Sequence, residues 1–329
     1  SIAFSCGGPL LTTASAPGKI ILFGEHAVVS GTAAIGGAID LRAIVHVQDY
    51  PGSVLVRAED LTLRGFSFDL TTGRIQSAQA AHAIRYISAV LREFDAKDMQ
   101  ISIKSGLPLA AGLGSSASIV VAAVAAVSQH QGHSLPRKEI AEISYRLEKK
   151  VQQGLGSPMD TALATYGGYL QIAQDIRPLD LPPLNMVVGY TGTPHDTKSE
   201  VEKVQNLRKR YSDLVGPVFQ AIGAISQRSI LLIKEENMAE LGELMNINHG
   251  LLASLGVSSR ELEELVFAAR GAGGALGAKL TGAGGGGCMI ALPGRGGPEP
   301  LLVALRQARA MAFKAVAGCE GLRLEAEEV

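Results

Sequence analysis

The 329-residue chain has no tryptophan, three cysteines, 5% aromatic residues and a net charge of −1. Each shortage excludes something. With no basic excess and few rings to stack on bases, the chain lacks the surface that grips nucleic acid, so no nucleic-acid partner is expected. Cys6, Cys288 and Cys319 are too few and too scattered for a disulfide framework or a structural zinc site, which fits a reducing cytoplasm. The longest apolar run, Ala117 to Val127, is too short to cross a bilayer, and the N-terminus carries no charged stretch followed by a hydrophobic signal segment. No membrane partner is expected either.

What is present is a large apolar fraction, 47%, enough to bury the cores of about two domains. Glycine stands out at 39 residues, about 12% against a usual 7%. Twelve of these glycines fall between Gly271 and Gly297, so the excess is local and marks a place where backbone comes close to something.

Short β-rich runs open the chain at Lys19 to Phe23, Ala43 to Gln48 and Val54 to Ala58. A helix over Gln79 to Arg92 follows, then a strand at Met99 to Lys104, a buried helix over Ala117 to Val127 and an amphipathic helix from Pro136 to about Val151. Gly167 to Ala173 reads as a returning strand. Asp175 to Leu184 carries three prolines in ten residues, which disfavours helix and central strand, and the domain boundary is placed there: 1–180 and 181–329. The second half opens on a strand, "NMVVGY", and is helical from Thr197 to Arg270. Two short strands, "GAKL" and "CMIAL", then flank the glycine cluster, a helix covers Glu299 to Phe313, and a last strand lies near Leu322. Strands interleaved with helices in both halves predict an α+β protein of two domains.

The stretch "PLAAGLGSSASIVVAA", Pro108 to Ala123, joins a glycine-rich loop to a helix with no polar face. Such a helix is buried. Its start presents unpaired N–H groups and the positive end of a dipole, so an anion is the natural guest. Gly112, Gly114 and Ala117 satisfy G-x-G-x-x-A, but Ser105 to Ala111 separate them from the preceding strand, which does not suit a dinucleotide fold. No lysine follows the last glycine, so it is not a P-loop of the G-x-x-x-x-G-K-[ST] type. What remains is a cradle of backbone amides with the hydroxyls of Ser115 and Ser116; Ser115 as a simple helix cap is the competing reading.

Three segments, "APGKIILFGEHAVVSG" (16–31), "LPLAAGLGSSAS" (107–118) and "KLTGAGGGGCMIAL" (279–292), resemble in order the signature motifs of the galactokinase, homoserine kinase, mevalonate kinase and phosphomevalonate kinase superfamily. The resemblance implies an N-terminal domain like the second domain of ribosomal protein S5, a C-terminal ferredoxin-like domain and a site in the cleft between them. Within the superfamily, "GSPMDTALATYGGYL" (156–170) and "TGTPHDTKSEVEKV" (191–204) are most similar to the mevalonate kinase family in its archaeal form. The implied activity is ATP-dependent phosphorylation of the 5-hydroxyl of mevalonate by direct in-line transfer, with ATP as substrate, Mg²⁺ as cofactor and a homodimer left open. Other readings are a phosphomevalonate or homoserine kinase, or a non-catalytic ATP-binding metabolite sensor.

The resemblance also implies roles. Asp160 is the base for the substrate hydroxyl and Lys19 the cation beside it. Pro108, Ala111, Gly112, Leu113, Gly114, Ser115, Ser116 and Ala117 form the nucleotide loop. Ser116 and Glu148 are the Mg²⁺ ligands, oxygen donors of the kind that ion prefers. Glu148 lies twelve residues before Asp160, where the family usually places its glutamate eleven before; Lys149 holds that position. Glu25, His26, Thr197, Gly284 and Gly285 are assigned to the substrate, with Lys198 beside Thr197 a further candidate for its acid end. Ordinary readings compete: a helix cap for Asp160, a solvated side chain for Glu148, a satisfied structural imidazole for His26 and a flexible hairpin for the glycine cluster.

Overall fold

The computed structural model describes residues 10–59, 66–69, 78–108, 111–154, 157–194 and 196–328. Cys6 lies outside them. The first part of the chain forms β1 (Leu10–Phe23), a single 3₁₀ turn (Ala27–Ser30), β2 (Ala34–Asp49), β3 (Val54–Glu59), β4 (Phe66–Asp69), α1 (Ala78–Glu93), β5 (Met99–Ser105), α2 (Ser115–His130), α3 (Arg137–Val151), α4 (Pro158–Tyr166), β6 (Tyr169–Ile172) and β7 (Ile176–Leu179). The second forms β8 (Leu184–Tyr190), α5 (Thr197–Arg210), α6 (Ser212–Lys234), α7 (Met238–Ser254), α8 (Arg260–Arg270), β9 (Gly277–Leu280), β10 (Cys288–Leu292), α9 (Glu299–Gln307), β11 (Met311–Ala317) and β12 (Arg323–Glu328).

All the described strands belong to one sheet whose main path runs β4-β3-β5-β2-β11-β8-β10-β9. β1 pairs antiparallel with β2 along most of its length and carries β12 on its other edge. The last strand of the chain therefore returns to the first, and the Ala317↔Ile39 pairing of β11 with β2 links the two halves again. Among the described strands only β3 and β5 run parallel.

α2 is the centre of the N-terminal half. All its residues except Ser116, Gln129 and His130 are buried, as its lack of a polar face requires. It packs against β1, β2, α1, α3 and α4. Its alanines allow backbones to approach closely and its valines fill the remaining space, so it acts as a rigid post whose N-terminus is fixed relative to the sheet. In the second half, α6 and α7 pack together, α7 and α8 cover β9, and α8 and α9 pack beside the β8–β10–β11 face. Among the described residues no helix is long and apolar enough to cross a membrane.

One expectation fails here. The helix predicted over Glu299 to Phe313 ends at Gln307; Met311–Ala317 is a strand, paired with β8 along its full length. The proline-rich segment forms neither helix nor central strand: β7 contains Pro178 and is an edge strand that, among the described residues, pairs with β6 alone.

Candidate active site

The start of α2 shows how the glycine loop works. From Ala111 to Ala117 burial alternates: Ala111, Leu113, Ser115 and Ala117 point into the core, while Gly112, Gly114 and Ser116 are partly exposed. Leu113 and Ala111 anchor the loop in the apolar core with Leu107, and Pro108 is buried beside them. Gly112 and Gly114 line an open cavity of about 600 Å³. The cap of α2 is Gly114, left-handed at φ 72, and no side chain caps the helix. Ser115 is therefore not the cap; its buried hydroxyl has no hydrogen-bond partner. A helix start with uncapped amides beside a cavity is suited to an anion.

Glycine is required at position 114 for space as well as for φ. A Cβ there would meet Lys19 Cγ at 2.7 Å. Lys19 sits on β1, with its backbone N–H donating to Leu113 O at 2.8 Å, so strand and loop are bonded where they cross. From this strand the Lys19 ammonium reaches Asp160, 3.4 Å away, at the start of α4. Ser157 is the N-cap of α4 and Asp160 lies in its first turn, so Asp160 is not the cap. Both Lys19 and Asp160 line the cavity.

Glu148 faces the same space from α3. It is buried, whereas Lys149, at the family's usual spacing, is exposed. After α3 the chain turns through two left-handed residues, Gln153 at φ 54 and Gly154 at φ 101. Glu148 Oε1 accepts hydrogen bonds from Ser116 Oγ at 2.8 Å and Gln152 Nε2 at 3.1 Å. Its other oxygen, Oε2, is buried without a partner. Burial, reinforced by the nearby Asp160 charge, pushes the Glu148 carboxyl up to about 7. A hydroxyl, a carboxylate with an orphaned oxygen and a second carboxylate close by are the donors a hard cation takes. Among the described residues no group of three His, Cys, Asp or Glu side chains could hold a metal by itself. Magnesium needs none, because it is usually bound through one or two carboxylates plus substrate phosphates.

Across the cavity, Thr197 and Lys198 open α5, which Asp196 caps by accepting from the Lys198 N–H at 3.1 Å. Thr197, Lys198 and Val201 line the cavity with Met159 and Ile21, and Asp196 and Glu202 line it from the same segment, Glu202 lying 4.0 Å from the Lys198 ammonium; this side offers a cation, a hydroxyl, an apolar surface and two carboxylates.

The glycine cluster is an ordered turn. Gly282, Gly284, Gly285 and Gly287 all have φ between 73 and 84. Gly285 N–H donates to Val257 O at 2.7 Å and Gly287 N–H to Thr193 O at 2.9 Å. A Cβ on Gly284 would lie 2.2 Å from Val257 O. The cavity is walled by Gly282 and Ala283, while Gly284 and Gly285 face the turn's own supports, Val257 and Glu200.

Glu25 and His26 follow β1. Glu25 does not reach the cavity: its side chain is 1% exposed and bonded to Lys279, itself fully buried. Burial raises the Glu25 carboxyl and lowers the Lys279 ammonium, and each partner opposes the other's shift. His26 has φ 62 and ψ −41, a strained conformation that costs on the order of 1–3 kcal/mol and persists only when its surroundings hold it. Its Nε2 bonds to Ala283 O at 2.7 Å. Burial lowers its pKa against that bond, favouring the neutral ring with the proton on Nε2. The Lys279 pairing, 254 residues from Glu25, had no local signal in the sequence.

Comparison with known proteins agrees with this geometry. The GHMP kinase N-terminal domain model matches residues 81–168 and the GHMP kinase C-terminal model residues 229–309. The mevalonate kinase of Pyrococcus horikoshii is 43% identical over 332 residues, covering 95% of this chain and 97% of that one. The chain belongs to the mevalonate kinase family of GHMP kinases. Among solved structures, the L. major mevalonate kinase in complex with R-mevalonate superposes with a TM-score of 0.82 at 26% identity, covering 93% of this chain and 96% of that one. The Methanococcus jannaschii mevalonate kinase gives a TM-score of 0.79 at 30% identity, covering 94% and 98%. The two-domain α+β kinase fold of the family is thus shared along nearly the whole chain.

Proposed function

We propose that this enzyme transfers the γ-phosphoryl group of ATP to the 5-hydroxyl of mevalonate. The observation that carries the reading is the Lys19–Asp160 pair, 3.4 Å apart, set in a cavity between the bare N-terminus of α2 and the opening turn of α5. Phosphoryl transfer asks a protein chiefly for placement and electrostatics. The amides at 111–116 and the dipole of α2 hold the phosphates. Asp160 accepts the proton of the hydroxyl as its oxygen attacks the γ-phosphorus, the bond to the β-phosphate bridging oxygen breaks, and ADP leaves with no phosphoenzyme. Lys19, 3.4 Å from Asp160, holds that carboxylate in place and offsets charge on the transferring group.

Ser116 and Glu148 would hold Mg²⁺, with Glu148 Oε2 as the free donor. When bound, the ion neutralises charge across the phosphates. Mevalonate occupies the side walled by Gly282, Ala283, Thr197 and Lys198; Lys198 suits its carboxylate, and Val201 and Met159 its methyl-bearing carbon. The domain division near 180 and the cytoplasmic setting expected from the cysteine content belong to the same proposal.

Purified protein with ATP, Mg²⁺ and a panel of mevalonate, phosphomevalonate and homoserine tests this through coupled ADP release. The expected result is turnover with mevalonate at least about a hundredfold above the other alcohols, the margin available to a site that pairs buried polar groups with one substrate. Preference for another alcohol, or nucleotide binding without transfer to any, would overturn it.

A further inference from the structure

Behind the cavity wall, Lys279, Thr281 and Ala283 occupy alternate positions at the end of β9 and the start of the glycine turn, and each bonds to the segment 21–26. Lys279 Nζ donates to Glu25 Oε1 and, at 2.7 Å, to Leu280 O. Thr281 Oγ1 accepts from Ile21 N–H at 3.1 Å and donates to Ile21 O at 2.8 Å. Ala283 O receives His26 Nε2 at 2.7 Å. Glu25 Oε2 accepts from Asn248 Nδ2 on α7 at 3.4 Å, so the carboxylate is held from two elements of the second half. Ile21, Gly282 and Ala283 line the cavity, while Glu25 and Lys279 do not.

A buried ion pair is a poor source of net stability, since desolvation offsets most of the attraction. What this pair supplies is direction. It fixes Glu25 next to a histidine whose backbone is strained, and a strained residue keeps its geometry only when anchored on both sides. His26 is anchored through its ring on Ala283 and through its neighbour on Lys279.

We propose that Lys279, through its buried bond to Glu25, is a positioning residue that holds His26 behind the wall and, through the His26 bond to Ala283 O, sets the Gly282–Ala283 turn as the alcohol-side wall of the cavity. It touches neither substrate. The identity of the alcohol rests on the mevalonate reading above; the placement does not.

The test is the double variant Glu25→Gln/Lys279→Met, which removes both charges together and leaves no unpaired ion in the core. Its mevalonate KM is expected to rise about tenfold or more, the scale on which displaced binding groups act, with the ATP KM within about twofold of wild type. Amide hydrogen exchange in 21–26 and 281–287 is expected to quicken, with the start of α2 unchanged. A folded double variant with wild-type mevalonate KM and wild-type exchange in both segments overturns the proposal. If the double variant does not fold, Glu25→Gln alone, which keeps an acceptor for Lys279, is read the same way: a smaller rise in mevalonate KM supports the proposal and a wild-type value overturns it. Wild-type protein inactive on mevalonate would sink the functional reading alone. The exchange comparison needs no substrate and still decides the positioning claim.

Discussion

Glu148→Gln should make the metal-free protein more stable at alkaline pH while disabling it as an enzyme. The Glu148 carboxyl is raised from 4.5 to about 7, chiefly by burial and secondly by the Asp160 charge. A carboxyl raised on folding contributes stability that is fully present below its unfolded pKa and is lost as pH rises through the folded one. The window is therefore about pH 4.5 to 7. At about 1.4 kcal/mol per tenfold change in proton affinity, the ionised side chain costs the fold about 3 kcal/mol at pH 8 and under about 1 kcal/mol at pH 5. The amide carries no charge and can still accept from Ser116. With unfolding entropy near 2.1 cal/mol/K per residue, 3 kcal/mol corresponds to about 4 °C in a chain of this length. Thermal denaturation of both proteins in chelator at pH 8 and pH 5 is the assay. The variant should melt higher at pH 8, with most of the difference gone at pH 5, and should lose roughly a hundredfold or more in Mg²⁺-dependent turnover. A variant that melts lower at pH 8, or gains equally at both pH values, would refute the assignment of a buried carboxylate whose Oε2 is left for a cation.

Asp160→Asn should lower kcat by about 10²–10⁴-fold, the usual range for a general base, with ATP affinity retained in a direct binding measurement. Lys19→Met should lower kcat by about 10²–10³-fold, because it removes a preorganised charge from the transferring group. Gly114→Ala forces a side chain into φ 72 and against Lys19 Cγ. It should cost about 1 kcal/mol of stability and a further tenfold or so in kcat by pushing Lys19 off Asp160. Gly132→Ala, at φ 82 with nothing within 4 Å, is the control, sharing the stability cost without the loss of turnover.

Local pattern carried far in this chain. The apolar, alanine-rich run after Gly114 is a buried helix, and the glycines before it are the exposed positions of a loop whose alternate residues enter the core. The family resemblance, through the first motif for Lys19 and the segment 156–170 for Asp160, implied that the two lie side by side, and the structure brings them to 3.4 Å although 140 residues separate them. Elsewhere, pairing overrode composition. Met311–Ala317 has the alanines of a continuing helix, but a strand partner in β8 claims it. The buried Glu25–Lys279 bond and the Thr281 link to Ile21 join residues about 250 positions apart, and no periodicity or spacing encodes such a contact. Glu25, assigned to the substrate from its motif, is buried against Lys279 and does not line the cavity.

The central claim is that the uncapped start of α2 grips the triphosphate so that Asp160 can take a proton from an alcohol beside it. A crystal structure with a non-hydrolysable ATP analogue, Mg²⁺ and mevalonate tests this most directly. The account predicts phosphate oxygens on the 111–116 amides, the ion against Ser116 and Glu148, and the 5-hydroxyl oxygen within hydrogen-bond reach of Asp160. A triphosphate seated away from α2, or a 5-hydroxyl turned from Asp160 with its carboxylate in that place, would contradict it.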